Sequence, residues 1–93
     1  GPWIVTHFSL DEAADLGIST ELNGAARQDS RTSLMVRGIP ELIEFVTSYT
    51  TLLPGDVILT GTPEGVGPMQ PGDSVSITVE GIGTLTNPVV AEN

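Results

Sequence analysis

Thr60 and Thr62 flank Gly61 within residues 60–70, an eleven-residue stretch that holds three glycines and two prolines. Hydroxyls beside backbone amides that no side chain shields can hold a carboxylate or carbonyl oxygen. The other reading is a wide connector, since loops of this length divide between functional segments and spacers. Asn23, Arg27 and Gln28 fall together on what reads as one hairpin, either as a ligand-facing polar group or as a solvated turn. Asp11, Glu12 and Asp15 form the one tight carboxylate cluster. On a helix Asp11 and Asp15 share a face at i,i+4, and oxygen ligands of that kind suit a hard cation. Capping accounts for Glu12 and the helix dipole for Asp11, so a structural reading stands beside the metal one. His7 has no partner close in sequence, and is either a general base or a structural histidine beside a strand.

Composition removes other chemistries. The 93 residues carry twelve carboxylates against three arginines, one histidine, no lysine and no cysteine, for a formal charge of −9. Without lysine there is no Schiff base and no phosphate-binding GxxxxGK[ST] loop. Without cysteine there is no thiol nucleophile, thiolate metal site or disulfide framework. A surface this acidic repels phosphate backbones, so nucleic acid is excluded as a partner. It fits either ordinary acidic solubility or salt adaptation. No stretch approaches the roughly 20 apolar residues of a spanning helix, so no membrane partner is expected. The first residues, Gly1-Pro2-Trp3-Ile4, have no basic run before an apolar one and read like the middle of a longer chain. Aromatics are few, so the core must be aliphatic, and a chain this short is expected to rely on a further surface for stability.

The elements that must position these residues are readable in outline. Residues 3–6 are β-prone. Ser9 and Glu12 match an S-x-x-E capping box opening a short helix near 9–16, with Gly17 placed to end it. Residues 18–22 read as a strand, Asn23-Gly24 as a hairpin turn, and residues 25–28 as the return arm. Residues 32–36 read as a strand or the approach to a helix. Pro40 opens a helix near 40–50, with Leu42, Ile43, Val46 and Tyr49 at helical spacing and Pro54 forbidding continuation. Pro-Gly-Asp recurs at 54–56 and 71–73, each a turn feeding a strand. Val57-Ile58-Leu59 reads as a strand buried on both faces. Val75, Ile77 and Val79 alternate with polar residues, as in a strand with one wet face. Residues 82–90 close the chain as an edge strand marked by Pro88.

In order and spacing these pieces resemble the C-terminal part of the fumarylacetoacetate hydrolase family's catalytic domain. The resemblance runs through Gly1-Pro2-Trp3, Asp11-Glu12, Leu22-Asn23-Gly24 with Gln28, Thr32, Met35 and the helix after Ile39. It continues through Pro54-Gly55-Asp56-Val57-Ile58, Thr60-Gly61-Thr62-Pro63, Gly65-Val66-Gly67, Pro71-Gly72-Asp73 and Gly81-Ile82-Gly83. It implies a mainly β fold, a mixed β-roll or sandwich with short helices, present here as a single partial domain over 1–93. It implies a cytoplasmic, homodimeric enzyme acting on 2-oxo or β-diketo acids as a hydrolase, decarboxylase or isomerase. A divalent cation, Mg²⁺ or else Mn²⁺ or Ca²⁺, would chelate the substrate's oxo and carboxylate oxygens and stabilise the enolate left by C–C cleavage. Thr62 matches the family's substrate-contacting threonine, and Gln28 the glutamine that faces metal and substrate, which makes these two the catalytic candidates. Asn23, Gly61 and Pro63 join Thr62 as substrate-binding candidates. Where the family continues Asn-Gly with Glu, this chain has Ala25. The family's Glu-x-Glu pair, third metal-binding Asp and active-site Lys precede the Gly-Pro at which this sequence starts. The resemblance therefore implies a substrate wall with no metal ligand of its own, inactive without a missing N-terminal part. A packing or oligomerisation module derived from the same family is the alternative.

Overall fold

The computed structural model describes residues 1–92. Strand β1 (Gly17–Leu22) turns through Asn23-Gly24 into β2 (Ala25–Arg31). Both turn residues have positive φ, 52° and 80°, which asparagine and glycine tolerate and which matches the twist of a two-residue hairpin. Strands β3 (Ser74–Val79) and β4 (Gly83–Pro88) form a second hairpin. β3 docks antiparallel on β1, giving a four-stranded antiparallel sheet in the order β2-β1-β3-β4. Pro88 ends β4 on the outer edge, where a missing N–H costs no ladder bond.

The register separates two faces, because directly opposed residues point the same way. Ile18 opposes Val79, Thr20 opposes Ile77, which opposes Leu85, and Leu22 opposes Val75. That face is apolar. The other carries cross-strand hydroxyl pairs, Ser76 with Thr86 and Thr78 with Thr84, both at 2.8 Å. Leu22, at 7% exposure, is the one buried hydrophobic among the described residues. The chain thus presents much of its apolar surface outward, as its size and aliphatic composition foreshadow.

The helices follow their capping signals but run shorter than the sequence suggests. α1 (Leu10–Ala13) has both bonds of the capping box, Glu12 N–H to Ser9 Oγ at 3.1 Å and Ser9 N–H to Glu12 Oε2 at 2.8 Å. Gly17 does not end it but begins β1. The intervening amides are captured from elsewhere: Leu16 donates to Thr32 Oγ1 and Gly17 to Glu80 Oε2, each at 2.8 Å. Residues 32–36 contain a single 3₁₀ turn, Thr32–Leu34. α2 (Ile39–Thr47) has proline in its first turn and stops at Ser48, ahead of Pro54.

Two expected strands are absent. Residues 3–6 pair with no strand among the described residues, and Val57 and Leu59 are 79% and 91% exposed rather than buried. A strand exists only beside a partner that takes its backbone bonds. Among the described residues, none of the backbone groups of residues 57–69 bonds to another backbone group. The apolar sequence favours extension there, but no neighbour completes the ladder.

The two Pro-Gly-Asp turns are chemical copies. Gly55 and Gly72 adopt φ of 95° and 96°. In each turn the aspartate N–H donates to the carbonyl three residues back at 3.0 Å. Each aspartate carboxylate accepts the N–H of that same residue, Leu53 at 2.8 Å and Gln70 at 2.7 Å. Only the second turn feeds a strand. Its Asp73 also accepts from Asn23 Nδ2 at 2.8 Å. The Gln70 amide first, and then Asn23, hold the Asp73 carboxyl below the ordinary aspartate range. A depressed native pKa adds stability above the unfolded value, about 3.9, which is lost as pH falls through the native one. Asp73→Asn is therefore expected to melt below wild type at pH 7. The gap should narrow on acidification to about pH 3, and a gap that stays constant in thermal melts would remove the carboxylate from this role.

Candidate functional site

Gln28 and Thr62, 34 residues apart in sequence, meet in the structure. Gln28 Nε2 donates to Thr62 Oγ1 at 2.7 Å and to the Pro63 carbonyl at 2.8 Å. Two local features bring them together. The first is a bulge in β2: Thr20 opposes Gln28 while Glu21 opposes Ala26, leaving Arg27 as the extra residue. A bulge of this kind bends the strand and re-aims the side chains beside it. The second is a close crossing of the 60–69 segment over the bulge at Gly65. This residue has φ of 107°, and a Cβ there would run into the Arg27 carbonyl oxygen. Only glycine lets the two backbones approach so closely.

The pairing sits between two openings. Gly61, Thr62 and Pro63 border a cleft of about 670 Å³, whose other walls include Ile18, Met35 and Arg37. Gln28 lies on the other side and, with Leu22, Gly65 and Ile77, lines a smaller hollow of about 220 Å³ over the apolar sheet face. Thr62 is exposed and Gln28 half-buried. The N–H groups of Gly61, Thr62 and residues 64–67 have no backbone partner among the described residues, so the segment offers donors together with the Thr62 hydroxyl. Such an array suits a carboxylate or a polarised carbonyl oxygen.

Other candidates are engaged elsewhere. The Asn23 side chain ties two turns together, donating to Asp73 and accepting the Ser74 N–H at 2.9 Å. The carboxylate cluster is dispersed. Glu12 closes the capping box, and Asp15 accepts from Arg31 Nε at 2.7 Å and Ser33 Oγ at 2.8 Å. Arg31, and after it Ser33, hold the Asp15 carboxyl below its usual range. Arg31 also reaches Glu80 Oε2 at 3.2 Å, joining the end of α1 to β2 and the end of β3. His7 stacks at a tilt on Phe8, ring centroids 4.4 Å apart. No three His, Asp or Glu side chains among the described residues come together as a metal-holding group. Among the described residues, then, no donor set fits a divalent cation.

The bulge at Arg27 and the contact at Gly65 are the site-building features that sequence reasoning missed. Residues 25–31 show no apolar-polar alternation from which an extra residue could be detected. The glycines of residues 60–70 signal close approach but not to what.

Residues 1–90 match the family model described as fumarylacetoacetate (FAA) hydrolase C-terminal. A maleylpyruvate hydrolase of Aquipseudomonas alcaligenes is 50% identical over 86 residues, 92% of this chain and 30% of that protein. The crystal structure of 5-carboxymethyl-2-hydroxymuconate delta-isomerase from Mycobacterium smegmatis superposes with a TM-score of 0.92 at 61% identity. It covers all of this chain and 36% of that one. Maleylpyruvate hydrolase from Sphingobium sp. SYK-6, in complex with manganese(II) and pyruvate, gives 0.91 at 40% identity, over 97% of this chain and 34% of the other. The chain spans about a third of the length of the curated relatives it matches, 34% of the Mycobacterium tuberculosis relative that is 59% identical to it.

Proposed function

The chain belongs to the fumarylacetoacetate hydrolase family, and from that premise we propose that it forms the substrate wall of an enzyme acting on 2-oxo acids of the acylpyruvate type. The observation that carries this reading is the joining of Gln28 to Thr62 and Pro63 at the mouth of an open cleft. The hydrolase and isomerase relatives support the reaction class, and the manganese and pyruvate complex of one of them supports a divalent cation and an oxo-acid ligand. In this reading the cation's ligands lie in the N-terminal part of a protein of the relatives' length, of which the chain spans about a third. The complete enzyme is a cytoplasmic homodimer in this reading.

In the hydrolytic form of the reaction, the hydroxyl of water goes to the acyl carbon and its proton to the methylene carbon, releasing a carboxylate and pyruvate. The Thr62 hydroxyl and the N–H groups of Gly61, Thr62 and residues 64–67 hold the substrate's carboxylate end, with Gly61 and Pro63 shaping the contact. Fixing that end orients the bond to be broken, and orientation is worth several kcal/mol of barrier, roughly 7–11 at its upper range. The packing-module alternative is not favoured. It uses the exposed apolar surface and gives the Gln28–Thr62 pairing no purpose.

The test joins these residues to the remaining portion of a protein of the relatives' length. Divalent-cation-dependent release of pyruvate from an acylpyruvate is expected, with no turnover by the 93 residues alone. A complete, cation-supplied protein that neither cleaves acylpyruvates nor isomerises hydroxymuconates nor decarboxylates oxo-acids would overturn the proposal.

A further inference from the structure

We infer that Gln28 is a positioning residue, which acts on the ligand through Thr62 by fixing the direction of the Thr62 hydroxyl proton. This rests on the oxo-acid reading above and deepens it. A peptide carbonyl can only accept a hydrogen bond, so the Gln28 amide must present its NH₂ to Pro63. The same nitrogen faces Thr62 Oγ1 at 2.7 Å, so its second N–H is donated there. A hydroxyl that already accepts from this direction must send its own single proton elsewhere. Thr62 Oγ1 has no other hydrogen-bond partner among the described residues.

The placement of the two side chains agrees with this division. Thr62 borders the larger cleft, whereas Gln28 stands behind it on the smaller hollow. The Thr62 proton is therefore kept off the Gln28 side and turned toward the cleft, where it meets an anionic oxygen. A ligand that accepts hydrogen bonds is favoured, and one that offers a hydroxyl donor at this point is not. The pinned carbonyl of Pro63 fixes the peptide next to Thr62 as well, so the hydroxyl is held in place and in direction by one amide.

The test is a double-substitution cycle read as the dissociation constant of pyruvate, measured by calorimetry on the complete, cation-loaded protein. Gln28→Met keeps length and volume but removes both donors. It is expected to weaken pyruvate about tenfold, the scale of one hydrogen bond. In a Thr62→Val background, Gln28→Met should change the affinity by less than about twofold, since there is no proton left to direct. In a Thr62→Ser background, which keeps the hydroxyl, the tenfold loss should return. A glutamine that merely braced the loop would cost affinity in all three backgrounds, and losses that add with Thr62→Val would overturn the inference while leaving the oxo-acid reading intact. Pyruvate affinity that is unaffected by Thr62→Val would overturn both.

Discussion

Gly65→Ala is expected to lower kcat/KM of the complete enzyme by about 100-fold or more while leaving the sheet folded. Two effects combine at this residue. Its φ of 107° is one that an L side chain rarely adopts, a strain of about 1–3 kcal/mol. Its new methyl would also collide with the Arg27 carbonyl, with the Arg27 carbonyl carbon 2.9 Å away and Gln28 Cγ 3.0 Å away. The obstacle is backbone, fixed between Ala26 and Gln28, which both pair with β1, so it cannot swing aside as a long side chain would. The crossing segment must lift instead, carrying Pro63 and Thr62 away from Gln28. A displacement of about 1 Å at a positioning group is enough for a loss of that size. Gly55→Ala is the control. It has a similar φ of 95° but open space around the added carbon, so it should lose stability without losing activity beyond about threefold. Steady-state kinetics beside thermal melts separate the two, and a Gly65→Ala enzyme within threefold of wild type would show that the crossing does not hold the site.

Thr62→Val should lower kcat/KM by about 10²–10³, the range seen when one donor to a developing or resident negative charge is removed. Valine matches threonine in shape, so the cleft keeps its outline and the loss reports the hydroxyl alone. The exposed position of Thr62 means that folding stability should change by less than about 1 kcal/mol. Thr62→Ser, which keeps the hydroxyl, should recover activity to within about tenfold of wild type. Unchanged kinetics in the valine variant would remove Thr62 from the substrate, and the functional reading would then lose its main support. Both substitutions act on one structural unit, so combining them should cost little more than the worse of the two.

Much of the local structure was legible because short-range chemistry determines it. Asn23-Gly24 makes a hairpin since both residues accept positive φ. Ser9 and Glu12 satisfy one another's backbone amides three residues apart. Pro-Gly-Asp closes on itself at both of its occurrences. Pro40 starts α2 for the reason that any proline suits a first turn. The resemblance carried by these motifs also singles out Thr62 and Gln28. Where the reading failed, the deciding partner was remote. Val57-Ile58-Leu59 has the composition of an interior strand, yet no strand among the described residues lies beside it. Residues 3–6 are β-prone and likewise unpaired. Asp11, Glu12 and Asp15 look like one cluster in sequence and part company because Arg31 binds the Asp15 carboxylate and the Ser9 N–H that of Glu12.

The sequence by itself determined the family, the turns and the helix starts, and it offered Gln28 and Thr62 as candidates. These depend on residue types within a few positions, where sterics and local hydrogen bonds leave few choices. The tertiary structure decided which of those groups meet. A one-residue bulge at Arg27 turns Gln28 toward a segment 34 residues away, and the absence of a side chain at Gly65 lets that segment come down onto it. Neither event is encoded by a pattern along the chain. Each is a contact between backbones, and backbone contacts carry no residue name until the fold has brought them together.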